Sequence, residues 1–187
     1  MGQDSSKPGP MTIEELKDSG VLSLSDIDKW LDNFMHTSCR RDYFTQSDLV
    51  KQYQESFTSG DAGAFARDVF RTMDRDSNGM VDFKEFVLAM TCLTSDDVNM
   101  KIDWAFWFYD VNKDGTISGG ELKKMLRIIC NVECGSKYKD KKEVDKMAEC
   151  MMSLMDTNKD GAITLSEFKE GFHKKEFCFG VLKRLTT

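Results

Sequence analysis

Three twelve-residue windows carry oxygen-bearing side chains at the same offsets: DRDSNGMVDFKE (74–85), DVNKDGTISGGE (110–121) and DTNKDGAITLSE (156–167). Each has Asp first, Asp or Asn third and fifth, glycine sixth and Glu twelfth. A hard divalent cation such as calcium takes about six to eight oxygens. A short loop can aim them at one centre from positions 1, 3, 5, 7, 9 and 12, with a glycine at 6 for the sharp bend and a bidentate Glu at 12. The expected ligands are Asp74, Asp76, Asn78, the backbone carbonyl of Met80, Asp82 and Glu85 in the first window. In the second they are Asp110, Asn112, Asp114, the Thr116 carbonyl, Ser118 and Glu121. The third offers Asp156, Asn158, Asp160, the Ala162 carbonyl, Thr164 and Glu167. A bidentate Glu in every window favours calcium over the smaller magnesium.

Such loops need a helix on either side and a neighbouring loop. Position 8 is Val81, Ile117 or Ile163, and a β-branched residue suits a short strand that pairs two loops. A fourth window, TSCRRDYFTQSD (37–48), falls in register with the others. It puts Phe44 at position 8 and Asp48 at position 12, but Thr37 at 1, Cys39 at 3, Arg41 at 5 and Asp42 where glycine belongs. Two guanidinium groups and a depleted ligand set predict that this loop holds no calcium. Its helices are nonetheless amphipathic, with Ile27, Trp30, Leu31, Phe34 and Met35 before the loop, Leu49, Val50, Tyr53 and Phe57 after it, and Ser25 as a candidate cap. The next helices carry Phe65, Val69, Phe70 and Met73, then Phe83, Phe86, Val87 and Met90. Core packing accounts for many of these, and a sensor that opens would expose some as a groove for a partner helix. MKIDWAFWFYD (100–110) has two stripes: Ile102, Ala105, Phe106 and Tyr109 for its own hand, and Trp104, Trp107 and Phe108 for contact between the two halves.

The expected fold is therefore all-α, with four helix–loop–helix hands in two paired lobes and short two-stranded β-ladders between paired loops. The expected organisation is an N-terminal acylated segment (1–22), an N-terminal pair of hands (23–96), a C-terminal pair (97–176) and a closing segment (177–187). A net charge of −6 over 187 residues, with no basic stripe, argues against nucleic acid. No apolar run reaches about eighteen residues, so no membrane span is expected, and no secretory signal is expected ahead of the first helix. Six cysteines without CxxC spacing read as reduced cytosolic thiols. The start, MGQDSSK, fits N-myristoylation at Gly2. One acyl chain gives only marginal membrane affinity and only Lys7 stands nearby as a basic partner, so any membrane association should be weak and reversible.

Together MGQDSS, KWLDNF (29–34), GDAGAFARDVFRTMD (60–74), VDFKEF (81–86), KIDWAFWFYD (101–110) and ITLSEFKEG (163–171) resemble the neuronal calcium sensor family, the recoverin, visinin-like and hippocalcin group, over essentially the whole chain. The resemblance implies four EF-hands, a silent first loop and a fatty chain released by calcium. It places the acyl pocket and target groove at Trp30, Phe34, Tyr53, Phe57, Phe83, Phe86 and Trp104. It also implies a partner helix on a membrane-associated signalling protein: a receptor kinase, guanylyl cyclase, lipid kinase or channel. Two features depart from the family. Cys39 is followed by Arg40 rather than proline, with one extra residue between Trp30 and Cys39. The fourth loop is intact, unlike that of recoverin-like members. The reading is a calcium sensor with a calcium-myristoyl switch, cytoplasmic and reversibly peripheral on membranes. The alternative is a cytosolic calcium buffer without an acyl switch. No enzyme is expected: His36 and His173 stand apart, and no nucleophile–base pair appears.

Overall fold

Asp82 opens a helix with a reciprocal cap: its side chain accepts from the Glu85 amide, and the Glu85 carboxylate accepts from the Asp82 amide. Loop-to-helix junctions of this sort recur along the computed structural model, which describes residues 24–56, 61–134 and 141–174. Among them are eight helices and four three-residue strands. In order they are α1 (Leu24–Thr37), β1 (Tyr43–Thr45), α2 (Gln46–Ser56), α3 (Ala62–Met73), β2 (Met80–Asp82), α4 (Phe83–Thr94), α5 (Val98–Tyr109), β3 (Thr116–Ser118), α6 (Gly119–Cys134), α7 (Lys141–Met155), β4 (Ala162–Thr164) and α8 (Leu165–Lys174). Four helix–loop–helix hands result, as expected. The helix entering the first hand begins at Leu24, so Ser25 lies within its first turn and not at the cap.

The loops pair two by two. β1 runs antiparallel to β2 with Phe44 opposite Val81, and β3 runs antiparallel to β4 with Ile117 opposite Ile163. All four of these position-8 side chains have no solvent exposure. Each ladder thus seals the end of its lobe while the loops face outward. The register follows from the sequence offset of each window, because a slip by one residue would turn the apolar side chain into water.

The N-terminal lobe is built on aromatic rings. Phe34 meets Phe44, Phe83 and Phe86 with ring centroids 5.7, 5.3 and 5.6 Å apart, and Phe44 also meets Phe70 at 6.2 Å. These tilted and edge-on contacts add to the burial of the rings themselves. In α1, Trp30 and Phe34 point inward, whereas Leu31, read from the sequence as part of the same face, is exposed. In the C-terminal lobe Phe106 and Tyr109 pack on Phe168. There α8 comes so near α7 that a Cβ on Gly171 would stand 2.7 Å from Met155 Cγ.

The two stripes of α5 separate as expected. Ile102, Ala105, Phe106 and Tyr109 are buried. Trp104 stacks on Phe108 at 5.6 Å, Phe108 meets Phe65 of α3, and Arg75 lies 4.2 Å above the Trp107 ring. The second stripe is therefore the seam between the lobes.

Phe44→Ala should cost about 3–5 kcal/mol of stability, because it removes a ring shared by α1, α3 and α4 and leaves a cavity. Denaturant unfolding of the metal-free protein measures it; a cost below about 1 kcal/mol would mean that the ring is not central to the lobe.

Candidate calcium sites

Each of the three donor-rich loops starts where a helix stops. The amides of Asp74, Asp110 and Asp156 still donate to the helical carbonyls of Phe70, Phe106 and Met152, at 2.8, 2.9 and 2.9 Å. The side chains of these aspartates then fold back over the turn. Asp74 accepts from the amides of Asn78 and Gly79 (3.0 Å each), Asp110 from Asp114 and Gly115 (3.1 and 2.9 Å), and Asp156 from Asp160 and Gly161 (3.2 and 3.0 Å). The bend is made at two left-handed residues per loop. One is the glycine at position 6, with φ of 82°, 90° and 89° at Gly79, Gly115 and Gly161; the other is position 4, with φ near 60° at Ser77, Lys113 and Lys159. Glycine adopts this conformation freely, whereas Ser and Lys are strained there. The strain at position 4 is a feature that the sequence did not announce.

The position-12 carboxylate closes each loop by accepting on both sides. Glu85 takes the Arg75 amide (2.9 Å) and the Asp82 amide (3.3 Å); Glu121 takes Val111 (3.0 Å) and Ser118 (2.9 Å); Glu167 takes Thr157 (3.1 Å) and Thr164 (2.9 Å). In the second loop Asp74, Asp76 and Glu85 each bring a carboxylate oxygen to within 4.8 Å of the others. That donor set is all hard oxygen and fits a calcium ion. When bound, calcium supplies a divalent charge that neutralises these carboxylates.

Position 9 makes the loops unequal. Ser118 and Thr164 donate their hydroxyls to Glu121 and Glu167 at 2.7 and 2.8 Å, whereas Asp82 has no hydroxyl to give. The Thr164 amide and hydroxyl accordingly pull the Glu167 carboxyl down to about 2, with help from Thr157 and Asn158. Burial works against Glu121, yet the Ser118 hydroxyl and amide still hold it below its ordinary value. For Glu85 burial prevails and pushes its carboxyl up. The second loop thus combines the most carboxylates with a closing glutamate whose charge burial disfavours.

The first loop takes another path. Cys39 and Arg40 are its left-handed residues, at positions 3 and 4. The Thr37 hydroxyl turns away, lying 2.6 Å from the Gln52 side-chain oxygen and 3.0 Å from the Asn33 carbonyl, either of which can take its one proton. Asp48, at position 12, accepts from the Thr45 amide and hydroxyl at 2.8 Å each, as Glu121 and Glu167 do from position 9 of their loops, and it also accepts from the guanidinium of Arg41. A covalently attached cation therefore sits on the closing carboxylate.

A model of the EF-hand domain pair matches residues 99–173, and one of the EF hand domain matches residues 65–93. Human (Homo sapiens) recoverin is 32% identical over 173 residues, covering 89% of this chain and 86% of recoverin. The chain belongs to the neuronal calcium sensor family. Guanylyl cyclase-activating protein 1 of Lithobates pipiens is 31% identical over 173 residues, covering 92% of this chain and 80% of that protein. As a neuronal calcium sensor the chain is an EF-hand, calcium-binding signalling protein.

Six of the seven groove positions that the family implies fall within the described residues. Trp30, Phe34, Phe86 and Trp104 are buried, and Tyr53 and Phe83 are half-buried. Phe57 lies outside the described residues, as do Gly2 and the closing segment 177–187. Cys39 and Cys150 are exposed and Cys130 is buried, and burial pushes the Cys92 thiol up to about 11, which keeps it protonated. No helix of the described residues is long and apolar enough to cross a membrane.

In metal-free protein, a carbon-13 titration should place the Glu167 carboxyl near 2, and Thr164→Val should move it upward by removing the donated hydroxyl. A carboxylate held low stabilises the fold above its ordinary value of 4.5, and that contribution disappears as pH falls towards 2. Thr164→Val should therefore reduce stability at neutral pH and leave it unchanged below pH 2. An unmoved carboxyl would show that the hydroxyl does not hold it.

Proposed function

We propose that this chain is a calcium sensor with three working loops, filled through Asp74, Asp76, Asn78, Met80, Asp82 and Glu85, and through the corresponding residues from Asp110 to Glu121 and from Asp156 to Glu167. The observation that carries the reading is the contrast within the N-terminal lobe. A loop whose closing carboxylate already holds Arg41 is kept on helices with a full aromatic face, beside a loop in which three carboxylates converge. A lobe of that kind has one half that is independent of calcium and one half that responds. When the responding half rearranges, Trp30, Phe34, Tyr53, Phe57, Phe83, Phe86 and Trp104 form the surface offered to an amphipathic helix of a membrane-associated signalling protein. One relative is, by its name, an activator of guanylyl cyclase, which supports a signalling enzyme as the class of target. Three bound calcium ions would add six charges and bring the chain from −6 to about zero, which favours approach to an anionic surface.

Gly2 carries a myristoyl group in this reading, and its exposure with calcium makes a cytoplasmic protein reversibly peripheral on membranes. A calcium buffer is the second reading, and the burial of Trp30, Phe34, Phe86 and Trp104 favours it, since a buffer keeps such side chains as core.

Calorimetric titration should count three calcium ions, with one lost in each of Glu85→Gln, Glu121→Gln and Glu167→Gln. The myristoylated protein should sediment with liposomes only in calcium, and Gly2→Ala should abolish this. A calcium-dependent rise in binding of an apolar dye supports the sensor; its absence, together with liposome binding indifferent to calcium, would leave the buffer.

A further inference from the structure

The second and third loops belong to different lobes, yet each receives a cation from the other. Arg71, three residues before Asp74, donates across the seam to the carbonyls of Phe108 (2.6 Å) and Asp110 (2.9 Å), with longer contacts to Trp107 and Val111. Lys113, three residues after Asp110, donates back to the Asp74 carbonyl (2.7 Å) and the Ser77 hydroxyl (2.8 Å). The backbone carbonyl of position 1 in each loop is thus held by a residue of the other hand. Arg71 is the fixed member. It also pairs with Asp68 and is mostly buried, and it meets carbonyls that the last turn of α5 leaves unsatisfied.

Lys113 is the conditional member. It stands at position 4, in the left-handed conformation, between Asn112 and Asp114, both expected ligands. Any change in the path of the third loop would therefore move its ammonium. Its targets are the first residue of the second loop and that loop's own strained position 4.

We propose that Lys113 is a strut that makes the second loop's affinity for calcium depend on the third: once the third loop is ordered, the lysine holds Asp74 and Ser77 in place and lowers the ordering cost of closing the second. The proposal rests on calcium filling both loops. It carries a second consequence of opposite sign. An ammonium beside Asp74 repels a cation in the second loop, so with the third loop silenced Lys113 is a pure hindrance.

The test follows the Gly79 and Gly115 amide resonances, one per loop, through a calcium titration of the full chain, as each amide donates to the first aspartate of its own loop. Glu121→Gln should weaken calcium at Gly79 by about tenfold, within the usual range of coupling between sites. Lys113→Met should weaken it when the third loop is intact, but strengthen it or leave it unchanged in the Glu121→Gln background; the coupling across this cycle then shrinks to about twofold or less. Lys159→Met, the same position in the fourth loop, should do neither. Asp114→Ala provides a second way to silence the third loop should Glu121→Gln fail to fold. A Lys113→Met loss that is equal in both backgrounds would reduce the lysine to a structural role and overturn the proposal. So would a Gly79 midpoint indifferent to the third loop. If Gly79 or Gly115 does not respond to calcium at all, the three-site reading falls together with it.

Discussion

The carboxylate at position 12 is the interaction on which the rest depends. In each of the three donor-rich loops it stands in the first turn of the exiting helix, and it reaches back to an amide at position 2 and to another at position 9. That bridge ties the end of the entering helix to the start of the exiting one, beside the ladder residues Val81, Ile117 and Ile163. The same bridge explains why a loop can keep its fold while changing its chemistry. Asp48 retains the position-9 half of it, through Thr45, and completes its shell with Arg41. The aromatic cluster around Phe34 and Phe44 survives on the strength of that substitution.

The seam between lobes follows from the crowding of one helix. α5 buries Ile102, Phe106 and Tyr109 into its own lobe, and turns Phe108 towards α3 and Trp107 towards Arg75 of the second loop. Its carboxyl end then emerges beside the second loop, where Arg71 can cover the unsatisfied carbonyls. Packing so close brings the second and third loops within reach of single side chains. Rigid contact between lobes and communication between loops thus have one structural origin.

Much of this was legible in the residues. Coordination chemistry ties residue type to position, so the three donor-rich loops, the odd first loop and the Phe44–Val81 and Ile117–Ile163 pairings could all be read from offsets. The double stripe of α5 was equally plain, since Trp104, Trp107 and Phe108 exceed what one face can bury. Other features had no signature. Leu31 shares the period of Trp30 and Phe34 yet stands in solvent, because periodicity marks a face more broadly than packing uses it. Arg41 was visible as a cation hostile to calcium, but its pairing with Asp48 depends on a backbone path that leaves glycine's usual place. Lys113 could not have been singled out: position 4 coordinates nothing, so side chains of many kinds are tolerated there, and its partners lie some forty positions away in the chain.

The pairing of Arg41 with Asp48 also sets how the N-terminal lobe responds to its surroundings. A diffusible ion leaves when it is diluted or chelated, whereas a guanidinium on the same loop has an effective concentration fixed by the chain. With the second loop filled by calcium as proposed, chelators, dilution and competing metals would act on one loop of that lobe and leave its neighbour unchanged. The strand Tyr43–Thr45 would then serve as a standing template, against which Met80–Asp82 is aligned at any calcium level.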